Sequence, residues 1–154
     1  MTHHLPVQRS RWWSTVSLLA LCVLVPAIVF GNGMGEAGAT VGATVELRNI
    51  SGEGQPMTVA IVGLPAGLEA RVDQLDELKE AGKYDYYEIN ARELIFYWRS
   101  LSPEADQTDP IRFTLDLVAE IPGRYTAPAS RTYLYYTPEQ KHWTDPLKVQ
   151  IARE

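Results

Sequence analysis

"MTVAIVGLPAGLEARVDQLDEL", residues 57–78, contains the change of pattern on which the fold depends. Met57, Val59 and Ile61 recur with a period of two, which predicts a strand. Gly63-Leu64-Pro65-Ala66-Gly67 breaks that period. Leu68, Val72, Leu75 and Leu78 or Lys79 then recur at helical spacing over "LEARVDQLDELKEAG", residues 68–82. This predicts one amphipathic helix running from about Glu69. Glu69 and Asp73 near its start and Lys79 near its end suit the helix dipole, and Gly82 is a natural stop. Strand, glycine loop and helix is also the outline of a phosphate cradle. The loop lacks G-x-G-x-x-G, and no Gly-Lys-Ser/Thr follows it. Pro65 removes a backbone N–H, and Glu69 and Asp73 would repel an anion at the helix start. The stretch reads as a tight corner, so no nucleotide is expected.

The remaining apolar segments mostly alternate. "TVELRN" puts Val45 and Leu47 on one face. In "FTLDLVAEI", Phe113, Leu115, Leu117, Ala119 and Ile121 face inward while Thr114, Asp116 and Glu120 face out, and only Val118 breaks the alternation. "LKVQI" buries Leu147, Val149 and Ile151. "ELIFYWRSL" and "RTYLYYT" are apolar or aromatic on both faces, which predicts central strands or strands covered on both sides. Turns fall at "SGEGQP", "SPEADQTDP", "IPGR" and "YTPEQ", each rich in Gly, Pro, Asp or Ser. About seven or eight short strands with one helix predict an all-β chain, a two-sheet antiparallel β-sandwich.

The 154 residues carry a formal net charge of −5, with 45% hydrophobic and 21% charged residues. The basic residues are scattered, which disfavours nucleic acid. The single cysteine, Cys22, excludes an intrachain disulfide and a cysteine-based metal centre. Arg9 and Arg11 precede a charge-free run from Trp12 to Phe30. Residues 1–30 therefore read as a signal peptide or a signal-anchor transmembrane helix, an apolar N-terminal helix with its basic end cytoplasmic. Ala37-Gly38-Ala39 offers a cleavage site, and Gly31-Asn32-Gly33 a poorer one. If uncleaved, residues 12–30 would hold the chain on a membrane. Residues 31–42 read as a flexible linker and residues 43–154 as the domain, placed extracytoplasmically.

Catalytic patterns are weak. His142 is the one histidine outside the N-terminal tail, in "EQKHWTDP" with Asp145 nearby. A hydrolase would need Ser51, Ser100, Ser102 or Ser130 to converge on it, and none lies in a nucleophile elbow. A turn histidine is the simpler account. Carboxylate pairs such as Asp76 and Glu77, or Glu104 and Asp106, are numerous enough to read as solvated surface. The tyrosines of "YDYYE" and "YLYY" read as core and cross-strand packing more readily than as a ligand-stacking surface. His3 and His4 would bind metal only weakly. No cofactor and no metal are expected.

"GQPMTVAIVGLPAGLE", "YYEINARELIFYWRSL" and "AEIPGRYTAPASRTYLYY", in this order, resemble the receptor-binding domain of the alpha-2-macroglobulin family, in a bacterial flavour. The resemblance spans about residues 43–152. It implies a two-sheet antiparallel sandwich with one crossing helix, an extracytoplasmic location and a non-catalytic role in protein contact. Full-length members trap proteases with a bait region and, often, a Cys-Gly-Glu-Gln thioester. Neither occurs in these residues, where Cys22 is followed by Val23. In animal relatives two helix lysines meet an endocytic receptor, and Val72 and Asp76 stand at those places here. Arg71, Lys79 and Lys83 are the nearby cations and the candidate partner-binding residues. The resemblance thus implies an interaction module connected to an endopeptidase-inhibitor system and unable to trap proteases alone. The alternatives are a detached C-terminal piece of a larger macroglobulin-like protein and, remotely, an envelope hydrolase using His142.

Overall fold

The computed structural model describes Ala20–Leu21, residues 37–105 and residues 109–153. Two antiparallel sheets and a short helix, α1 (Val72–Glu80), make up most of it. The first sheet orders β1 (Ala20–Leu21), β2 (Thr40–Asn49), β7 (Ile111–Ala119) and β4 (Leu68–Ala70) as β1-β2-β7-β4. The second contains β3 (Thr58–Gly63), β5 (Tyr86–Asn90), β6 (Glu93–Trp98), β9 (Ser130–Leu134) and β10 (Thr137–Thr144), in the order β10-β9-β3-β6-β5. A further pair joins β8 (Gly123–Thr126) to β11 (Lys148–Ile151).

The period-two pattern explains the core. Val45 and Leu47 of β2 and Phe113, Leu115 and Leu117 of β7 point into the sandwich, facing Ala60 and Val62 of β3 and Leu94, Phe96 and Trp98 of β6. Burying a side chain of this size contributes about 1.5–3 kcal/mol, so the paired inner faces dominate the favourable side of folding. Leu75 and Leu78 of α1 join the same core, as do Val149 and Ile151. Tyr84, also buried, donates its O–H to the Leu75 carbonyl at 2.6 Å, fastening the helix.

The outer face of the first sheet is polar. Glu46 and Arg112 are direct register partners on it, and Arg112 Nε donates to Glu46 at 3.0 Å. Burial pushes the Glu46 carboxyl up, but hydrogen bonds and charge from Arg112 and Arg48 outweigh it and leave the pKa below the usual carboxylate value.

Several expectations change. Leu68–Ala70 is a strand paired with Leu117–Ala119, and α1 begins only at Val72. The edge of β7 supplies ladder hydrogen bonds that a helical Leu68 would forgo. Val72 is 52% exposed, so Leu75 and Leu78 carry the buried stripe. Ile121 is 57% exposed, because β7 ends at Ala119 and the inward alternation ends with it. Tyr135-Tyr136 forms the turn between β9 and β10, so "TPEQKHWT" is strand, and His142 is a strand residue paired with Thr132. The assigned linker is strand at Thr40–Gly42, where backbone pairing with Asp116–Val118 continues β2. Ala20–Leu21, inside the segment assigned to an apolar helix, is extended and pairs with Arg48–Asn49. The rest of residues 1–36 lies outside the described residues. Among the described residues no helix is long and apolar enough to cross a membrane.

The glycine corner is explained by packing. A Cβ on Gly63 would come within 1.9 Å of the Pro128 carbonyl oxygen, and one on Gly67 within 2.2 Å of the Tyr125 ring. The Gly63 N–H meanwhile donates to the Ser130 hydroxyl at 3.0 Å. These glycines let neighbouring chain approach, and the Gly63 N–H and the Gly67 carbonyl, which accepts from Glu120 N–H at 2.9 Å, are committed to the fold. At the other end of α1, Gly82 takes φ +72, with Lys83 N–H donating to Leu78 O and Gly82 N–H to Lys79 O. That pair of hydrogen bonds is a Schellman motif, and it lies at the helix stop that the sequence places at Gly82.

One edge is closed by a side chain. Beyond Ala70, β4 no longer covers β7, and there Gln74 takes over. Its Oε1 accepts from Asp116 N–H at 2.8 Å, and its Nε2 donates to Thr114 O at 3.4 Å.

Three outcomes follow from this packing. Gly63→Ala should lower the urea midpoint with unchanged m-value, at a cost of about 1–3 kcal/mol. Gln74→Ala should cost about 1 kcal/mol by leaving the β7 edge unsatisfied, and amide exchange at Asp116 should accelerate. Burial raises the Tyr84 pKa above its ordinary value, and burial with the nearby Glu88 carboxylate pushes Tyr97 up to about 12. The fold favours both neutral phenols. Their contribution is therefore intact below the unfolded value of about 10 and is lost as pH rises through the folded values. Thermal melts across that alkaline range should decline while ultraviolet titration shows late-ionising tyrosines.

Candidate protein-interaction site

Arg71, Lys79 and Lys83 all flank α1, but the fold does not bring them together. Arg71 is the residue before the first helical turn and makes no side-chain cap. It ion-pairs with Asp73 in the open, which raises the Arg71 pKa and lowers that of Asp73. A helix of nine residues is roughly 13 Å long, so Arg71 lies at the far end from Lys79 and Lys83.

Lys79 and Lys83 share a site. Lys79 Nζ sits 5.7 Å from the centroid of the Tyr86 ring, a cation–π arrangement. Lys83 is placed by the helix stop, and its carbonyl accepts the Trp98 indole N–H at 2.8 Å. Both lysines line an open groove of about 1010 Å³ between the C-terminal end of α1 and the segment leading into β7. Its other walls include Tyr84, Trp98, Leu101, Ile111 and Arg112, with Glu80, Asp85 and Glu104 also present. Tyr84, Trp98 and Leu101 are almost wholly buried, so they give the groove a fixed aromatic and aliphatic base. Asp85 is oriented by the backbone, accepting from Arg99 N–H at 2.7 Å. Mixed charge around an apolar base is the composition of a protein-contact surface. Lys79 and Lys83 were visible in the sequence. Arg112 and Trp98 were not, because only the folded register carries β6 and β7 to the end of the helix.

The catalytic alternative gains nothing from the geometry. Among the described residues no serine hydroxyl bonds to His142. Ser51 bonds to Asn49, Ser102 to Glu104, and Ser130 receives Gly63 N–H. Among the described residues no group of three or more His, Cys, Asp or Glu side chains is placed to hold a metal ion. Glu69 and Glu120 adjoin at the β4–β7 end, where a hydrogen bond and charge repulsion between them raise the Glu120 pKa.

Residues 53–145 match the family model of the A-macroglobulin receptor binding domain. No curated protein sequence matches the chain significantly. Among solved structures, Salmonella alpha-2-macroglobulin mutant Y1175G superposes with a TM-score of 0.58 at 15% identity, covering 77% of this chain and 8% of that one. Trypsin-activated alpha-2-macroglobulin from Escherichia coli gives 0.57 at 17% identity, covering 78% of this chain and 9% of that one. The native E. coli fragment from domain MG7 to the C-terminus gives 0.57 at 17% identity, with 78% and 20% covered. This chain spans less than a tenth of the two longer relatives, and at such identities the likeness is one of fold. The family match covers most of the sandwich, from the loop before β3 to the end of β10, and with it the chain belongs to the alpha-macroglobulin receptor-binding domain family.

Proposed function

We propose that the chain is a non-catalytic, extracytoplasmic protein-interaction module that docks a protein partner through the groove at the C-terminal end of α1. The observation that carries this reading is the placement of Lys79 and Lys83 together over the base formed by Tyr84, Trp98 and Leu101. Lysines at such a rim act on encounter rate and register, over a base that packing holds fixed. Arg71 contributes at most a peripheral charge, since Asp73 already neutralises it. The extracytoplasmic location rests on the N-terminal pattern of Arg9 and Arg11 followed by an apolar run. The partner is an envelope or macroglobulin-like protein, and the link to endopeptidase inhibition runs through it.

A second reading is favoured by the coverage of the solved relatives. A domain matching 8–9% of the two longer macroglobulins would act as the C-terminal part of such an assembly, with the groove facing its neighbouring domains. A reading frame encoding bait and thioester regions beside this one would decide for it.

Crosslinking in the native envelope, followed by affinity capture of the full chain, tests the first reading. The double variant Lys79→Glu/Lys83→Glu should lose partner recovery by about tenfold or more, with an unchanged melting temperature. Equal recovery from the variant would refute the groove. Protease added to intact or permeabilised cells should cut the domain, and recovery wholly in the cytosol would contradict export. His142→Ala should change neither partner recovery nor stability.

A further inference from the structure

The edges of the two large sheets are closed in different ways. β4 is three residues long, and beyond it Gln74 takes up the polar groups of β7. β10 carries Pro138, Glu139 and Lys141 and is bulged between Thr137 and His142. β5 lies beside α1, where the Tyr87 hydroxyl donates to Asp76 at 2.9 Å. Short strands, prolines, charges, bulges and covering helices are the usual devices that keep an edge from pairing with another chain. β2 has none of them over Thr40–Thr44, where "TVGAT" contains neither charge nor proline. Among the described residues, its own chain occupies that edge only at the other end, where Leu21 and Ala20 pair antiparallel with Arg48 and Asn49.

The direction of each backbone group on β2 follows from the ladder. Along an antiparallel strand, successive residues direct their N–H and C=O groups to opposite sides. Gln74 takes Asp116 N–H and Thr114 O on the far side of β7, so Phe113, Leu115 and Leu117 face β2. Their register partners Val45, Ala43 and Val41 are therefore bonded to β7. Thr40, Gly42 and Thr44 direct their N–H and C=O groups the other way, and among the described residues no strand pairs with them there. The side chains alternate as well. Ala43 and Val45 point into the core and Val41 packs against it, while Thr40 is exposed and Gly42 and Thr44 are half-buried.

A strand laid beside this edge would satisfy both patterns. Its residues opposite Gly42 and Thr44 would exchange backbone hydrogen bonds with them. Its residues opposite Val41 and Ala43 would extend the apolar interior, and those between would be solvated. Leu21 beside Arg48 shows the antiparallel polarity that the edge accepts, and it bounds the site at that end, so a short segment fits. We propose that the Thr40–Thr44 edge of β2 is a strand-addition site, taking a short extended segment of a partner protein with apolar residues at every second position. The site goes beyond the groove and does not depend on it. Groove residues Ile111 and Arg112 pair with Leu47 and Glu46, towards the opposite end of β2.

Amide hydrogen exchange of the purified full chain, with and without the synthetic peptide KVTVTVK, tests it. In the chain alone the Gly42 and Thr44 amides should exchange fast, while those of Val41 and Ala43 exchange slowly. The peptide should slow Gly42 and Thr44 by about tenfold or more and leave Val41 and Ala43 unchanged. Methylating the peptide's threonine amides, whose N–H groups face β2, should abolish the effect, whereas methylating its central valine amide should not. Gly42→Pro, tolerated on an edge where the N–H faces solvent, should keep the melting temperature and lose the protection at Thr44. Lys79→Glu/Lys83→Glu should leave that protection intact, which separates this site from the groove. Slow exchange at Gly42 and Thr44 without peptide would mean that the chain itself or a second copy fills the edge, and would overturn the proposal. Sedimentation would tell those two apart. No slowing at saturating peptide, or slowing that survives threonine methylation, would overturn it too.

Discussion

Tyr84 stands where the two sheets and the helix meet, and its burial constrains all three. Its ring lies 4.7 Å from Phe96 of the five-stranded sheet and 5.4 Å from Phe113 of the four-stranded one. Its hydroxyl reaches the Leu75 carbonyl in α1. A buried phenol needs a partner for its O–H, so the helix cannot slide along the sandwich without leaving that donor unsatisfied. The stop at Gly82 and the indole bond from Trp98 to the Lys83 carbonyl fix the chain on either side of the same point. The groove at the end of α1 inherits its shape from this junction.

The inner faces were legible because two-residue alternation needs no tertiary information. Phe113, Leu115 and Leu117 could be assigned to the core from their spacing alone, and they lie there. Gly82 was legible for a similar reason, since a left-handed residue after an amphipathic run has few other uses. The failures lie where partners distant in sequence decide. Leu68 fits a helical stripe as well as a strand, and only the free edge of β7 makes the strand preferable. Tyr135 and Tyr136 have strong strand preferences, yet the chain reverses there, and Tyr135 N–H closes on Met57 O at 2.8 Å. The aromatic strands "ELIFYW" and "RTYL" were expected to be central or doubly covered. That expectation holds: both are interior to the order β10-β9-β3-β6-β5, and no residue of β6 is exposed on either face.

For the candidate site, the sequence supplied the cations and the fold supplied their company. Arg71, Lys79 and Lys83 are close in sequence, and helical geometry alone separates the first from the other two. Trp98 and Arg112 belong to strands of different sheets and enter the site only through register. Family membership sets the module type.

The glycine corner bears on how the chain acquires its structure. The walls that crowd Gly63 and Gly67 are Pro128, Tyr125 and Ile151, all far downstream. Likewise β2 finds its partner in β7 and β3 in β9, so few stabilising contacts are local. Closing such distant pairings costs chain entropy before any burial is gained, and topologies of this kind fold slowly. A ribosome or a translocation channel would therefore release most of this domain before it could become compact. The residues of β11, with Ile151 among them, complete the wall around the corner, and the mature packing waits on their arrival.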